Sequence, residues 1–167
     1  MRIKCLFSKE QISRRVKELS VQISREYSGT NELLVLCVLN GSMFFAADLL
    51  RELHIPCQLN CIKACANESG KVELCYGADI NVSGKDILLI EDIVDSGITL
   101  KSIMDIYQKQ QPNSIKVCTF LDKKSRRIED VQADYAGFET DGKFVVGYGM
   151  DYNGKYRELP YIGYIIN

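Results

Sequence analysis

The sequence predicts an α/β fold: three layers, a mostly parallel central sheet of about five strands flanked by helices, and a small hood built from terminal segments. Three observations carry that prediction. Apolar runs of strand length recur along the chain. Stretches with apolar residues at helical spacing lie between them, joined by short links. The length, 167 residues, suits one compact domain over residues 1–167.

Ser8 is placed to cap a helix, with Gln11 three residues on as its reciprocal partner. Ile12, Val16, Leu19 and Ile23 then recur at helical spacing, so the helix runs from residue 9 to about 27, and Gly29 follows its end. Leu33 to Leu39 is a continuous apolar run, as in a strand buried on both faces. Asn40-Gly41-Ser42 breaks it, Met43 to Leu53 reads as a helix, and Pro56 closes the connection before a strand from Cys57 to Cys65. From Ala66 to about Gly77 the pattern fails. Asn67, Glu68, Ser69, Gly70 and Gly77 predict a mobile hairpin or loop there, about residues 66–78.

Ser83-Gly84-Lys85 is a turn, and Asp86 to Ile90 a third apolar run that ends in Glu91-Asp92. Gly97 opens a helix carrying Leu100, Ile103, Met104 and Tyr107, which Pro112-Asn113 ends. Ile115 to Leu121 is a fourth strand. Shorter strands follow around Asp134 to Phe138 and Phe144 to Tyr148, and Tyr161 to Ile166 is the last. Crossovers in such a sheet are right-handed, and its ligands sit beyond the carboxyl ends of the strands. The polar residues that follow each apolar run are therefore the candidates for function.

Composition narrows the choice. Lys+Arg 21 against Asp+Glu 22 leaves no broad basic field, so nucleic acid is not the expected partner. No apolar stretch approaches the ~20 residues that span a bilayer, so no membrane partner is expected either. The start, Met1 to Phe7, is too short and soon too polar for a signal peptide. Seven cysteines at irregular spacing suit a reduced, cytoplasmic chain. Cys57, Cys61 and Cys65 lie at even spacing, as small hydrophobes on one strand face, and a single histidine, His54, argues against zinc chemistry.

The most informative stretch is Leu88-Leu89-Ile90-Glu91-Asp92-Ile93-Val94-Asp95-Ser96-Gly97-Ile98-Thr99-Leu100. A buried strand delivers two adjacent carboxylates, and a third follows at Asp95. Ser96-Gly97-Ile98-Thr99 then turns tightly into a helix. Small and hydroxyl residues let backbone N–H groups and two hydroxyls converge, and the helix N-terminus adds its positive end: a phosphate cradle. Acids beside a phosphate imply a divalent cation, usually magnesium, or sugar hydroxyls as donors. A nucleotide hydrolase would need G-x-x-x-x-G-K-[ST], but none of the Gly-Lys pairs at Gly70, Gly84, Gly142 and Gly154 is followed by Ser or Thr.

This segment resembles the signature of type I phosphoribosyltransferases, which bind 5-phosphoribosyl 1-diphosphate. The tail Lys143-Phe144-Val145-Val146-Gly147-Tyr148-Gly149-Met150-Asp151-Tyr152, with its spacing to Arg157, is similar to the same region of the hypoxanthine-guanine branch. The resemblance runs from about Leu33 to the C-terminus. It implies a purine salvage transferase making IMP or GMP and pyrophosphate, cytoplasmic, magnesium-dependent, and a homodimer or homotetramer. Glu91 and Asp92 would hold the ribose hydroxyls, directly or through Mg2+, and Asp95 would act as general acid/base near purine N7. Ser96, Gly97, Ile98 and Thr99 would cradle the 5′-phosphate. Lys123 would donate to purine O6, Phe144 would stack on the base, and the Val145 carbonyl would read its edge. Asp151, beside the purine, would bind a second Mg2+, and Arg157 would contact pyrophosphate.

Two departures stand out. Asn40, before Gly41 in the loop expected to meet pyrophosphate, occupies a place where the family usually has Lys or Arg; that loop often holds a non-proline cis peptide. Ala66-Asn67 replaces the Ser-Tyr pair of the family's closing loop. Asn40 keeps the turn but removes a charge near pyrophosphate, and loss of the Ser-Tyr pair points to a lower rate or a shifted base preference. Two rival readings are a transferase for xanthine or another 6-oxopurine, and a regulator on the same fold that binds RNA.

Overall fold

A computed structural model describes residues 2–69, 71–140 and 142–166. The chain runs β1 (Arg2–Phe7), α1 (Lys9–Glu26), β2 (Leu33–Val38), α2 (Met43–Glu52), β3 (Cys57–Ala66), β4 (Val72–Tyr76), β5 (Asp86–Val94), α3 (Ile98–Gln108), β6 (Ser114–Asp122), a 3-10 turn (Lys124–Arg126), β7 (Tyr135–Glu139), β8 (Val145–Val146) and β9 (Ile162–Ile166). The capping box holds: the Gln11 amide donates to Ser8 Oγ at 3.3 Å, and the Ser8 amide donates to Gln11 Oε1 at 2.8 Å.

The main sheet has six strands, not five, in the order β4-β3-β2-β5-β6-β7. All neighbours are parallel except β4, which runs antiparallel to β3. The extra strand falls in the segment expected to be a hairpin or loop. Its sequence, Val72-Glu73-Leu74-Cys75-Tyr76, gives no continuous apolar run because an edge strand buries only part of itself. Gly70, inside that segment, lies outside the described residues. The hood is present as a separate sheet, β1-β9-β8, which joins a first strand that the sequence pattern did not show to the two C-terminal ones. The strand expected over Phe144 to Tyr148 shrinks to Val145–Val146.

Side chains alternate across the sheet. One face packs Val35, Cys37, Leu88, Ile90 and Phe120 against α1 and α2; the other packs Leu34, Leu36, Ile87, Leu89 and Val117 against α3. Phe120 is fully buried, with its ring 4.8 Å from Phe45, 5.0 Å from Tyr148 and 5.6 Å from Phe138. Phe120→Ala is therefore expected to cost about 3–5 kcal/mol of folding stability, read from urea unfolding at constant slope.

Cys65 and Cys75 are joined by a disulfide across the β3–β4 hairpin, which corrects both the reading of Cys65 as a free thiol and that of the chain as fully reduced. Cys5, Cys37, Cys57, Cys61 and Cys118 are thiols.

Strand order reverses at β2. From β2 the chain crosses to β3 on one side and then returns to β5 on the other. A crevice opens at the carboxyl ends of β2 and β5, where the two connections part.

Candidate active site

The acids stand inside β5 rather than at its end, as the sequence had suggested. On the β6 side the ladder continues through Glu91↔Thr119 and Val94↔Asp122. On the β2 side it stops at Cys37↔Ile90. Glu91 and Asp92 thus remain held by one neighbour while the other side opens into the crevice.

The loop after β2 fills part of that opening. Its Leu39–Asn40 peptide is cis. Gly41 lies so close to the Asp92 carboxylate that a Cβ there would overlap it. Gly149, from the loop after β8, packs on the Gly41 carbonyl. Arg157 ties the same region together: its Nη1 donates to the Gly149 carbonyl at 2.5 Å and its Nη2 lies 2.7 Å from Asp151 Oδ1.

Asp95 follows β5 and opens the turn to α3. Gly97 caps that helix in the left-handed region, φ 83°, and a Cβ on it would overlap Val131. The helix runs from Ile98 with Gly97 as its N-cap, as expected, and the Ile98 amide lies 3.4 Å from Ser96 Oγ.

Two adjoining cavities result. One, of about 110 Å³, is lined by Glu91, Ile93, Val94, Asp95, Ser96, Gly97, Thr99 and Leu100 at the N-terminus of α3. The other, of about 490 Å³, is lined by Asp92, Ile93, Asp95, Lys123, Arg126, Gly142, Phe144, Val145, Met150 and Asp151. Ile93 and Asp95 belong to both walls. A larger hollow, about 610 Å³ between Asp122 and Ala133, contains none of the sequence-predicted residues.

The electrostatics divide sharply. Burial, and then the neighbouring Asp92 charge, pushes the Glu91 carboxyl well above the usual carboxylate range. Burial also raises Asp92, opposed by the amide of Ile93 and the charge of Arg157. Asp95 is surrounded by cations instead. Lys123 Nζ lies 3.4 Å from its Oδ2, Arg126 Nε lies 3.0 Å from its Oδ1, and Arg127 Nη1 donates to its carbonyl at 2.9 Å. Lys123 is buried although it begins a run of five polar residues, Lys123 to Arg127. Phe144 is 57% exposed, forms a T-shaped pair with Tyr152 and lines the larger cavity.

The structure thus gathers Glu91, Asp92, Asp95, Ser96, Gly97, Thr99, Lys123, Phe144, Val145 and Asp151 on the two cavity walls. Gly41 and Arg157 reach them through Asp92 and Asp151. Asn40 and Ile98 border the site without lining either cavity. The sequence reasoning missed Arg126. Lys123 caps the 3-10 turn and Arg126 ends it; the Arg126 amide donates to the Lys123 carbonyl at 3.0 Å, and this three-residue step brings both side chains to Asp95. That spacing was the available signal.

Comparison with known proteins points the same way. Residues 4–153 match the family described as phosphoribosyl transferase domain. A Bacillus subtilis protein named hypoxanthine-guanine phosphoribosyltransferase is 41% identical over 165 residues, covering 96% of this chain and 91% of its own. A protein of the same name from Streptococcus thermophilus is 39% identical over the same shares. A crystal structure of a hypoxanthine-guanine phosphoribosyltransferase from Bacillus anthracis superposes with a TM-score of 0.94 at 42% identity, covering 99% of this chain and 100% of that one.

Proposed function

The chain belongs to the phosphoribosyl transferase family, and from that premise we propose the part each site residue takes in its reaction. The activity is purine salvage: a 5-phosphoribosyl group passes from 5-phosphoribosyl 1-diphosphate to hypoxanthine or guanine, giving IMP or GMP and pyrophosphate. The observation that carries the assignment of roles is the pair of adjoining cavities with Asp95 in their shared wall. One has the chemistry of a phosphate site, the other that of a base site, and a sugar joins the two.

The 5′-phosphate enters the small cavity, where the amides and hydroxyls from Ser96 to Thr99 receive it at the positive end of α3. Glu91 and Asp92 accept from the ribose hydroxyls. The base enters the larger cavity, stacked on Phe144, with O6 toward Lys123, N7 toward Asp95 and its edge read by the Val145 carbonyl. Asp95 exchanges a proton with the purine as the bond to the sugar forms. Arg157 approaches the departing pyrophosphate, where Asn40 supplies a dipole in place of a charge. The tip of the β3–β4 hairpin, within residues 66–78, closes over the reactants and excludes water.

Magnesium fits this site. Burial drives two adjacent carboxylates toward protonation, Arg157 only partly opposes this at Asp92, and a cation would supply further counter-charge. Among the described residues no three metal-ligating side chains converge. That suits an ion held by one or two carboxylates and the donor's own oxygens. Glu91 and Asp92 would hold one ion and Asp151 a second. Bound there, magnesium neutralises charge on the leaving pyrophosphate.

We place the enzyme in the cytoplasm as a homodimer or homotetramer. Exposed Met43 and Phe44 at the start of α2 favour association between copies. No helix among the described residues is long and apolar enough to cross a membrane. The RNA-binding alternative lacks a basic field, with net charge -1. The xanthine alternative lacks support from the relatives, which are named for hypoxanthine and guanine.

Purified protein with donor, magnesium and a single base is expected to form nucleotide from hypoxanthine and guanine, faster than from xanthine or adenine. Adenine would set its 6-amino donor against the Lys123 donor, a mismatch the site rejects. Product chromatography reads the result, and absence of nucleotide with every purine would sink the assignment.

A further inference from the structure

We propose that Arg126 is a positioning residue for Asp95, holding its carboxylate in the orientation that serves base transfer. The inference rests on the role given to Asp95 above. Main chain comes first. The Val94 carbonyl accepts from the Lys123 amide at 2.9 Å, the Asp95 carbonyl from Arg127 Nη1 at 2.9 Å, and the Ser96 carbonyl from the Ile128 and Glu129 amides at 2.9 and 3.1 Å. The backbone of 94–96 is thus fixed against 123–129, and only the side-chain torsions of Asp95 are left to set.

Two cations share that task unequally. Lys123 Nζ donates to Oδ2 at 3.4 Å, a long hydrogen bond, whereas Arg126 Nε forms an ion pair with Oδ1 at the shorter distance of 3.0 Å. Lys123 also has a second duty, since its ammonium faces purine O6 when a base is bound. Arg126 lines the same cavity, and its ion-pair partner is Asp95. Arg126 holds Oδ1 by charge while Lys123 holds Oδ2, so the two cations together set the direction in which the carboxylate points.

The plain alternative is an ion pair at the rim with no bearing on the reaction. The Arg126 side chain is 56% exposed, so the pair contributes little to stability. That exposure makes the two readings separable, because removing Arg126 should spare the fold and affect only the reaction.

The test uses five purified proteins: wild type, Arg126→Ala, Asp95→Asn, the double variant, and Arg126→Lys as the conservative control. Arg126→Ala is expected to lower kcat about tenfold through lost orientation, with donor KM and Tm unchanged. Arg126→Lys should regain part of the loss. In the Asp95→Asn background, Arg126→Ala should cause no further loss. Wild-type turnover by Arg126→Ala, or the same fold-loss in both backgrounds, would overturn the proposal while leaving Asp95 in its role. A lowered Tm with the lost activity would overturn it in favour of a structural role. Full turnover by Asp95→Asn would remove the premise, a result distinct from the others.

Discussion

Asp95→Asn is expected to slow nucleotide formation by about 100- to 10,000-fold, with donor KM nearly unchanged. The asparagine keeps the size and shape of the side chain, so the loop between β5 and α3 retains its path. It can still accept one hydrogen bond from Lys123 or Arg126. It cannot take or return a proton, and it offers the two cations no negative charge. The donor is held elsewhere, by Glu91, Asp92 and the turn from Ser96 to Thr99, so its binding is spared. A loss in kcat with donor KM constant marks an interaction made in the transition state. Initial rates with hypoxanthine and guanine, in both reaction directions, give the comparison, and turnover equal to wild type would take Asp95 out of the proton transfer.

The part of the site that was legible in the sequence is the part built by consecutive residues. Glu91 to Thr99 spans one strand end, one turn and one helix start, so its chemistry is local and can be read in a line. Lys123, Phe144, Asp151 and Arg157 needed the family resemblance, because folding alone brings them to the cavity. Arg126 was hidden by composition: five polar residues in a row, from Lys123 to Arg127, look like a solvated turn until the 3-10 geometry orients them. The placement of Glu91 and Asp92 within β5 was unreadable for a different reason. A strand may be paired on one side and free on the other, and periodicity along one strand carries no information about where its neighbours stop. Edge strand β4 and the Cys65–Cys75 link share that difficulty, since both depend on pairing across a hairpin with a register shift.

Glu91→Gln is expected to produce opposite changes in stability and in function from a single cause. Glu91 is buried beside Asp92, and its carboxyl is raised well above its ordinary value of 4.5. The folded, ligand-free protein therefore retains a proton that the unfolded chain gives up. By linkage, that contribution to stability is fully present below about pH 4.5 and is lost as pH rises through the folded-state value. As pH rises above the ordinary value of the free acid, the wild type must either hold a proton the unfolded chain has released or bury an uncompensated charge, whereas the glutamine of the variant faces neither cost. The variant should match the wild type in acid and melt higher near neutral pH, by roughly 2–4 °C per kcal/mol relieved. Its use of donor should fall at the same time, because a neutral amide replaces a charged acceptor; such contacts are worth about 1.5–3 kcal/mol, roughly 10- to 150-fold. Added magnesium and donor should raise the wild-type Tm strongly and the variant's little. Melting curves from about pH 4.5 to 8, with and without those ligands, test all three expectations. A variant that melts lower near neutrality, or binds donor as the wild type does, would mean that Glu91 is not the buried, uncompensated acid that receives the sugar and its metal.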